Sequence, residues 1–255
     1  MRNYHDTSGM GEVLRYWEID LVRGIAILMM IIFHTVYDLS FFQIFPVNVS
    51  DGFWRYFAFA TASLFLLVVG ISLTLSRARA APDISGYRLA EKFVYRGAGI
   101  FLLGLLITLC TWLYLGEGFI VFGILHLIGI SIIISPLFFR LKKFSFVAGL
   151  LCITIGWFFT TITGPLWLLP LGIHPATFWS VDYEPIFPWF GMVLIGMGLG
   201  EYLYPGGVRR FALPSLPQAA IRLLAFPGRH SLLIYLVHQP IIILLLAALT
   251  GTKVL

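Results

Sequence analysis

The strongest constraint on this chain is a repeated block of continuously apolar sequence about 20 residues long, enough to cross a bilayer as a helix. Seven such blocks are read, at about 19–43, 53–76, 93–115, 119–139, 144–163, 186–204 and 230–250. They lack the two-residue alternation of a membrane β-barrel. Of the 255 residues 59% are hydrophobic and 11% charged, and the latter is roughly half the charged fraction of a soluble domain. The expectation is an all-α integral membrane protein: one domain over residues 1–255, built as a bundle of about seven transmembrane helices.

The basic residues orient that bundle. With the N-terminus inside, the inner connections receive 15 of the 17 Lys and Arg residues, and only Arg55 and Lys253 fall outside. Positively charged connections stay in the cytoplasm. This predicts a cytoplasmic N-terminus and an outer C-terminus, in a multi-pass protein of the cell membrane. Asp51, Glu117, Asp182 and Glu184 fall on the outer side. Residues 1–17 are polar and the first block is long, so no cleavable signal is expected. Cys110 and Cys152 lie inside apolar blocks and read as small hydrophobes. The net charge of +5 follows from topology, and no nucleic-acid partner is expected.

Three connections stand out. Residues 77–96 carry five basic residues, and residues 205–229 contain VRRF and AAIRLL. Both read as orientation signals with interfacial, snorkelling side chains, or as a docking surface for a phosphorylated ligand. The Pro-rich, aromatic segment 164–185 is predicted to cap an outer cavity.

The chemistry concentrates in the first block, EIDLVRGIAILMMIIFHTVYDLSFF. Positions 20, 23, 27, 31, 34 and 38 recur at three- and four-residue steps and share one helical face. Ionisable groups at bilayer depth are costly unless they face protein, water or a ligand. Asp20 and Arg23 fall at the inner end, as an anchoring ion pair or a phosphate site. His34 lies about 20 Å further along, with Asp38 one turn beyond. A carboxylate at i+4 can accept from one imidazole nitrogen and leave the other as a base, so Asp38 is expected to orient His34.

Other ionisable residues extend this reading. His126, in FGILHLIGIS, is expected at a depth similar to that of His34, as a second cavity histidine or an isolated packing one. Asp182 and Tyr183 are candidates for acceptor binding, whereas Glu184 reads as a solvated loop carboxylate. His238, followed by Gln239 and Pro240, reads as filling a local helix defect or as a pocket wall. Arg77 and Arg96, in the basic connection 77–96, join Arg23 as candidates for facing the phosphates of a ligand. HExxH, GxSxG and Walker A motifs are missing, no Lys lies in a span, and no spacing supports a metal site.

RYWEIDLVRGIAILMMIIFHTVYDL, FGILHLIGIS, DYEPIFPWFGMVLIGMGLG and GRHSLLIYLVHQP together resemble the small prokaryotic proteins grouped with the catalytic domain of heparan-alpha-glucosaminide N-acetyltransferase. The resemblance runs from Arg15 to Pro240. Asp20, Arg23 and Gly24 match the opening motif of that family. The resemblance implies membrane-embedded acyl transfer from acetyl-CoA to an amine or hydroxyl of a sugar-like acceptor across the membrane. The eukaryotic enzyme carries a histidine before its second span, in H-x-x-W-N-G; here that stretch reads PVNVSDGFWRYF. The base role then falls to His34, with Asp38 orienting it and His126 assisting. Asp20, Arg23, Arg77, Arg96 and His238 would bind the donor, and Asp182 and Tyr183 the acceptor. The expected partners are membrane lipid, a small-molecule donor and the acceptor, with no metal; self-association is left open. The competing reading is a proton-coupled transporter or flippase using the same polar stripe as a relay.

Overall fold

A computed structural model describes residues 15–80, 84 and 86–251. Arg2 and Lys253, used above to orient the chain, lie outside the described residues, as does most of the polar segment 1–17. The described residues are mostly helical, with no strand among them and isolated bridges Phe122–Tyr183 and Thr163–His174 as the only extended pairings.

The helices are α1 (Trp17–Phe41), α2 (Gly52–Ala80), α3 (Tyr87–Leu115), α4 (Ile124–Phe138), α5 (Ser145–Phe159), α6 (Ile186–Leu203), α7 (Gln218–Arg229) and α8 (Ser231–Thr250). Six runs among the described residues are long and apolar enough to cross a membrane. One of them, Ile124–Phe159, breaks at Lys142, whose φ of 48° departs from the helix. Its two arms pack on different neighbours. α4 runs antiparallel to α3, with Gly104 against His126 and Gly97 against Gly129 and Ile133. α5 runs antiparallel to α6, with Gly149 against Gly191 and Gly156 against Pro188. The chain therefore reverses at residues 139–144, and seven apolar helices stand side by side in alternating directions. The fourth and fifth blocks read from the sequence fall on the two arms of the single run Ile124–Phe159.

Small residues set the packing distances, as expected where lipid supplies no hydrophobic drive between helices. A Cβ on Gly149 would meet the Gly191 carbonyl at 2.6 Å, and one on Gly191 would meet the Gly149 carbonyl at 2.6 Å. The core is built from α2, α4 and α6, with Leu66, Leu127, Val193 and Met197 at its centre. α1 packs on α2, α7 and α8.

The bundle has two distinct ends. Arg15, Arg23, Arg79, Arg96 and Arg229 gather at the end where α1 begins; Asp182 and Glu184 mark the opposite end. α7 lies at the arginine end and is amphipathic, with Leu223 and Phe226 exposed. Its backbone at Gly228 is pressed so closely on Asp20 that any Cβ there would collide with the Asp20 carbonyl.

Candidate active site

Two cavities lie along α1. The first, of about 320 Å³, is at the arginine end and is lined by Arg15, Arg23, Arg79 and Arg96 with Tyr16, Asp20 and Ser72. Asp20 is buried and organises it. Its carboxylate accepts from Arg15 Nε at 2.6 Å and from Arg23 at 2.8 Å, with Arg229 Nε 3.6 Å away. The second guanidinium nitrogen of Arg23 donates to Ser72 Oγ at 2.7 Å. Arg79 and Arg96 have no carboxylate partner among the described residues; Arg79 donates to the Leu75 carbonyl and Arg96 to Ser76 Oγ. Four guanidinium groups around one carboxylate leave the cavity cationic, which suits an anion of several charges.

The second cavity, of about 190 Å³, lies between α1, α2, α4 and the segment 181–184. Its lower wall is apolar, from Ala26, Met30, Ala62, Phe65 and Leu125, and its upper part is polar, from His34, Asp182, Glu184 and Tyr235. His34 Nδ1 lies 2.9 Å from the Met30 carbonyl. A carbonyl only accepts, so Nδ1 carries the proton and the Nε2 lone pair of the neutral ring is left free.

The segment 181–184 is held by backbone bonds. Val181 N–H donates to the Gly118 carbonyl and Glu184 N–H to the Phe122 carbonyl, at 2.9 and 3.0 Å. Asp182 accepts from Ile124 N–H, at the start of α4, at 3.4 Å. Burial, slightly offset by that bond, pushes the Asp182 carboxyl up to about 6. Glu184 is raised well above the usual carboxylate range, first by burial and then by the charge of Asp182. Its Oε2 is buried and has no hydrogen-bond partner among the described residues. The Tyr183 hydroxyl donates to the Leu169 carbonyl at 2.6 Å, and burial raises it to about 12.

The structure brings Asp20, Arg23 and Arg96 together in one cavity and His34, Asp182 and Tyr183 in the other. Four expectations require correction. Asp38 does not orient His34: both its oxygens accept from Gln239 Nε2 of α8, at 2.8 and 2.9 Å. The Met30 carbonyl takes the orienting place, since it is already within reach of His34 in the same helix. His126 does not line either cavity: its Nδ1 accepts from Gly123 N–H at 3.2 Å and its Nε2–H donates to Thr108 Oγ1 at 3.3 Å. It caps the start of α4 in the place that a Glu or Gln takes in a capping box, and Phe101 and Phe122 enclose its ring. Arg77 faces away from the arginine cavity and binds Glu201 and the Phe139 carbonyl at 3.2 and 2.8 Å, securing the α4–α5 reversal. His238 stands beside His34, with ring centroids 4.9 Å apart, and is not at the arginine end.

Several site residues were missed. Glu184 read as a solvated loop carboxylate, yet it lines the cavity beside Asp182: residues two apart in an extended segment project to the same side. Arg15 and Arg79 carry a recoverable signal, since each lies one or two helical turns from the inner end of a span. Tyr235 and Gln239 meet α1 only through the packing of α8, which no local pattern encodes.

The molecule is thus a multi-pass helical membrane protein with a cationic cavity and an imidazole–carboxylate cavity sharing one helix. It belongs to the heparan-alpha-glucosaminide N-acetyltransferase catalytic-domain family, whose family model matches residues 15–240. No curated protein and no solved structure matches the chain.

Proposed function

We propose that the chain transfers an acetyl group from acetyl-CoA, its phosphates held in the arginine cavity, to an amine or hydroxyl of a sugar-like acceptor at His34. One observation carries this reading. Arg23 lines the first cavity and Ala26, three residues on and on the same face of α1, lines the second. The two linings are therefore separated by about 4.5 Å along the helix axis. A donor with an anionic head and a long arm ending in a thioester would span from guanidinium groups to imidazole.

In the transfer step the acceptor nitrogen or oxygen attacks the thioester carbonyl carbon. Its proton passes to His34 Nε2, the carbon–sulfur bond breaks, and the departing sulfur takes the proton from His34. The Nδ1–H bond to Met30 holds the ring in the tautomer this requires. Asp182 and Glu184 face the same cavity and would bind acceptor hydroxyl or amine groups. The charge distribution supports an arginine end in the cytoplasm and an acceptor side across the cell membrane.

Purified protein incubated with labelled acetyl-CoA and a panel of amino sugars tests the reading. The expected result is label in the sugar, lost in His34→Ala. Equal transfer by His34→Ala would overturn the assignment of the base. A second check is thermal melting with coenzyme A, which binds only the folded state on this reading and raises its melting temperature.

A further inference from the structure

We infer that His238 is a positioning residue for the transfer step. It sets a fixed lone pair beside His34 and stabilises the imidazolium that His34 becomes on taking the acceptor's proton. This rests on the reading of His34 as the base.

The rings of His34 and His238 approach with centroids 4.9 Å apart, at 73° to one another. Each has Nδ1 against a backbone carbonyl of its own helix: His34 with Met30 at 2.9 Å, His238 with Tyr235 at 2.6 Å. Both rings therefore hold their lone pair at Nε2. The two Nε2 atoms differ in surroundings. His34 lines the cavity. His238 is 8% exposed, and its Nε2 is buried with no hydrogen-bond partner among the described residues. An unsatisfied acceptor in a helix bundle is a standing cost, and a leucine or phenylalanine would avoid it. The cost is recovered if a positive charge forms next to the ring, and His34 is the adjacent group that gains one.

The approach is enforced one residue along. Asp38 follows His34 by one turn of α1, and Gln239 follows His238 directly in α8. The amide nitrogen of Gln239 donates to both Asp38 oxygens at 2.8 and 2.9 Å. The two contacts form successive rungs between α1 and α8, and the polar rung fixes the register of the imidazole rung. In low dielectric a fixed dipole acts on a neighbouring charge far more strongly than in water, with no reorganisation at the moment of reaction. His238 itself neither gains nor loses a proton. The proton travels from acceptor to His34 to sulfur, and the His238 lone pair acts while His34 is charged.

The test compares two variants of the full-length protein in steady-state acetyl transfer, with acetyl-CoA as donor and an amino sugar that the wild type accepts. His238→Phe keeps a ring and removes the lone pair; His238→Gln loses the ring and offers an amide oxygen near the same place. The expected ranking has His238→Phe about tenfold down in kcat, with both KM values within about twofold of wild type. His238→Gln retains about a third or more of wild-type kcat. The reverse ranking, with the phenylalanine variant close to wild type, would show a packing role and overturn the inference. Should His238→Phe fail to fold, Gln239→Leu probes the same geometry. It leaves both imidazoles in place and loosens the rung beside them, so kcat falls at unchanged KM; an unchanged kcat overturns the inference as well. A His34→Ala variant as active as wild type faults the reading of His34 itself. A dead His34→Ala beside a fully active His238→Phe faults only the role of His238.

Discussion

His34 and His126 lie on different helices, both away from the arginine cluster, and the sequence assigns them a similar depth. In His126 both ring nitrogens are consumed: one accepts the Gly123 amide at the start of α4, the other donates to Thr108 on α3. In His34 one nitrogen is anchored on the Met30 carbonyl and the ring lines a cavity beside two carboxylates. The same side chain is a fastener in one place and a free acceptor in the other. The difference arises from what lies three or four residues away. His126 follows a helix start with an amide in need of an acceptor; His34 sits mid-helix, where the available partner is a carbonyl that accepts from Nδ1–H and leaves the Nε2 lone pair free.

Substitution breaks the comparison most sharply at His34. His34→Ala should reduce acetyl transfer by about 10²–10⁴-fold, the range for a lost general base, with little change in melting temperature. The cationic cavity gives the next largest effect. Arg23→Ala should weaken coenzyme A binding by about tenfold or more, since a hydrogen bond to a charged group contributes about 1.5–3 kcal/mol. Arg77→Ala, by contrast, removes the partner of Glu201 and the Phe139 carbonyl and should lower stability while leaving coenzyme A affinity unchanged. Isothermal titration with coenzyme A separates the two, and equal losses of affinity would refute the assignment of Arg77 to the fold.

His126→Ala tests the fastener. Two hydrogen bonds disappear and the Gly123 amide is left unpaired, a loss of about 1–3 kcal/mol in a buried setting. Melting temperature should fall while kcat at a permissive temperature stays within about threefold of wild type. A loss of kcat as deep as that of His34→Ala, in a variant that still melts cooperatively, would return His126 to the reaction.

The sequence makes the bundle legible because each span is continuously apolar and each turn is marked by charge or by Gly and Pro. Even the reversal between α4 and α5 is announced, by Arg140, Lys142 and Lys143. The stripe on α1 is legible for the same reason: helical periodicity puts Arg23 and His34 on one face without help from the rest of the fold. Legibility ends where a partner comes from another helix. Asp38 has the right spacing to meet His34, yet Gln239 reaches it from α8, and an amide that donates to both oxygens satisfies a buried carboxylate better than one imidazole edge. Arg77 and Arg96 look alike in a basic connection. Glu201 on α6 draws the first out of the cavity, and the second has no such carboxylate among the described residues.

The smallest effect is expected at the rim of the His34 cavity, and there pH is the variable. Burial raises the folded-state pKa of Asp182 from 3.8 to about 6. In the unfolded chain the carboxyl ionises at the lower value, so below about pH 4 both states are protonated and Asp182 carries no penalty. As pH rises through about 6 the folded state loses that advantage, because it must now hold a buried charge, and the deficit persists at higher pH. Asn cannot ionise. Asp182→Asn should therefore match the wild-type melting temperature near pH 4 and exceed it above pH 7, by a few degrees. Glu184, raised in the same direction by burial and by Asp182, adds to the effect: removing the Asp182 charge also eases ionisation of its neighbour. A melting-temperature difference between wild type and variant that stays flat from pH 4 to pH 8 would mean that the segment 181–184 lets water reach Asp182. The carboxylates would then belong to a solvated rim and not to the cavity that faces His34.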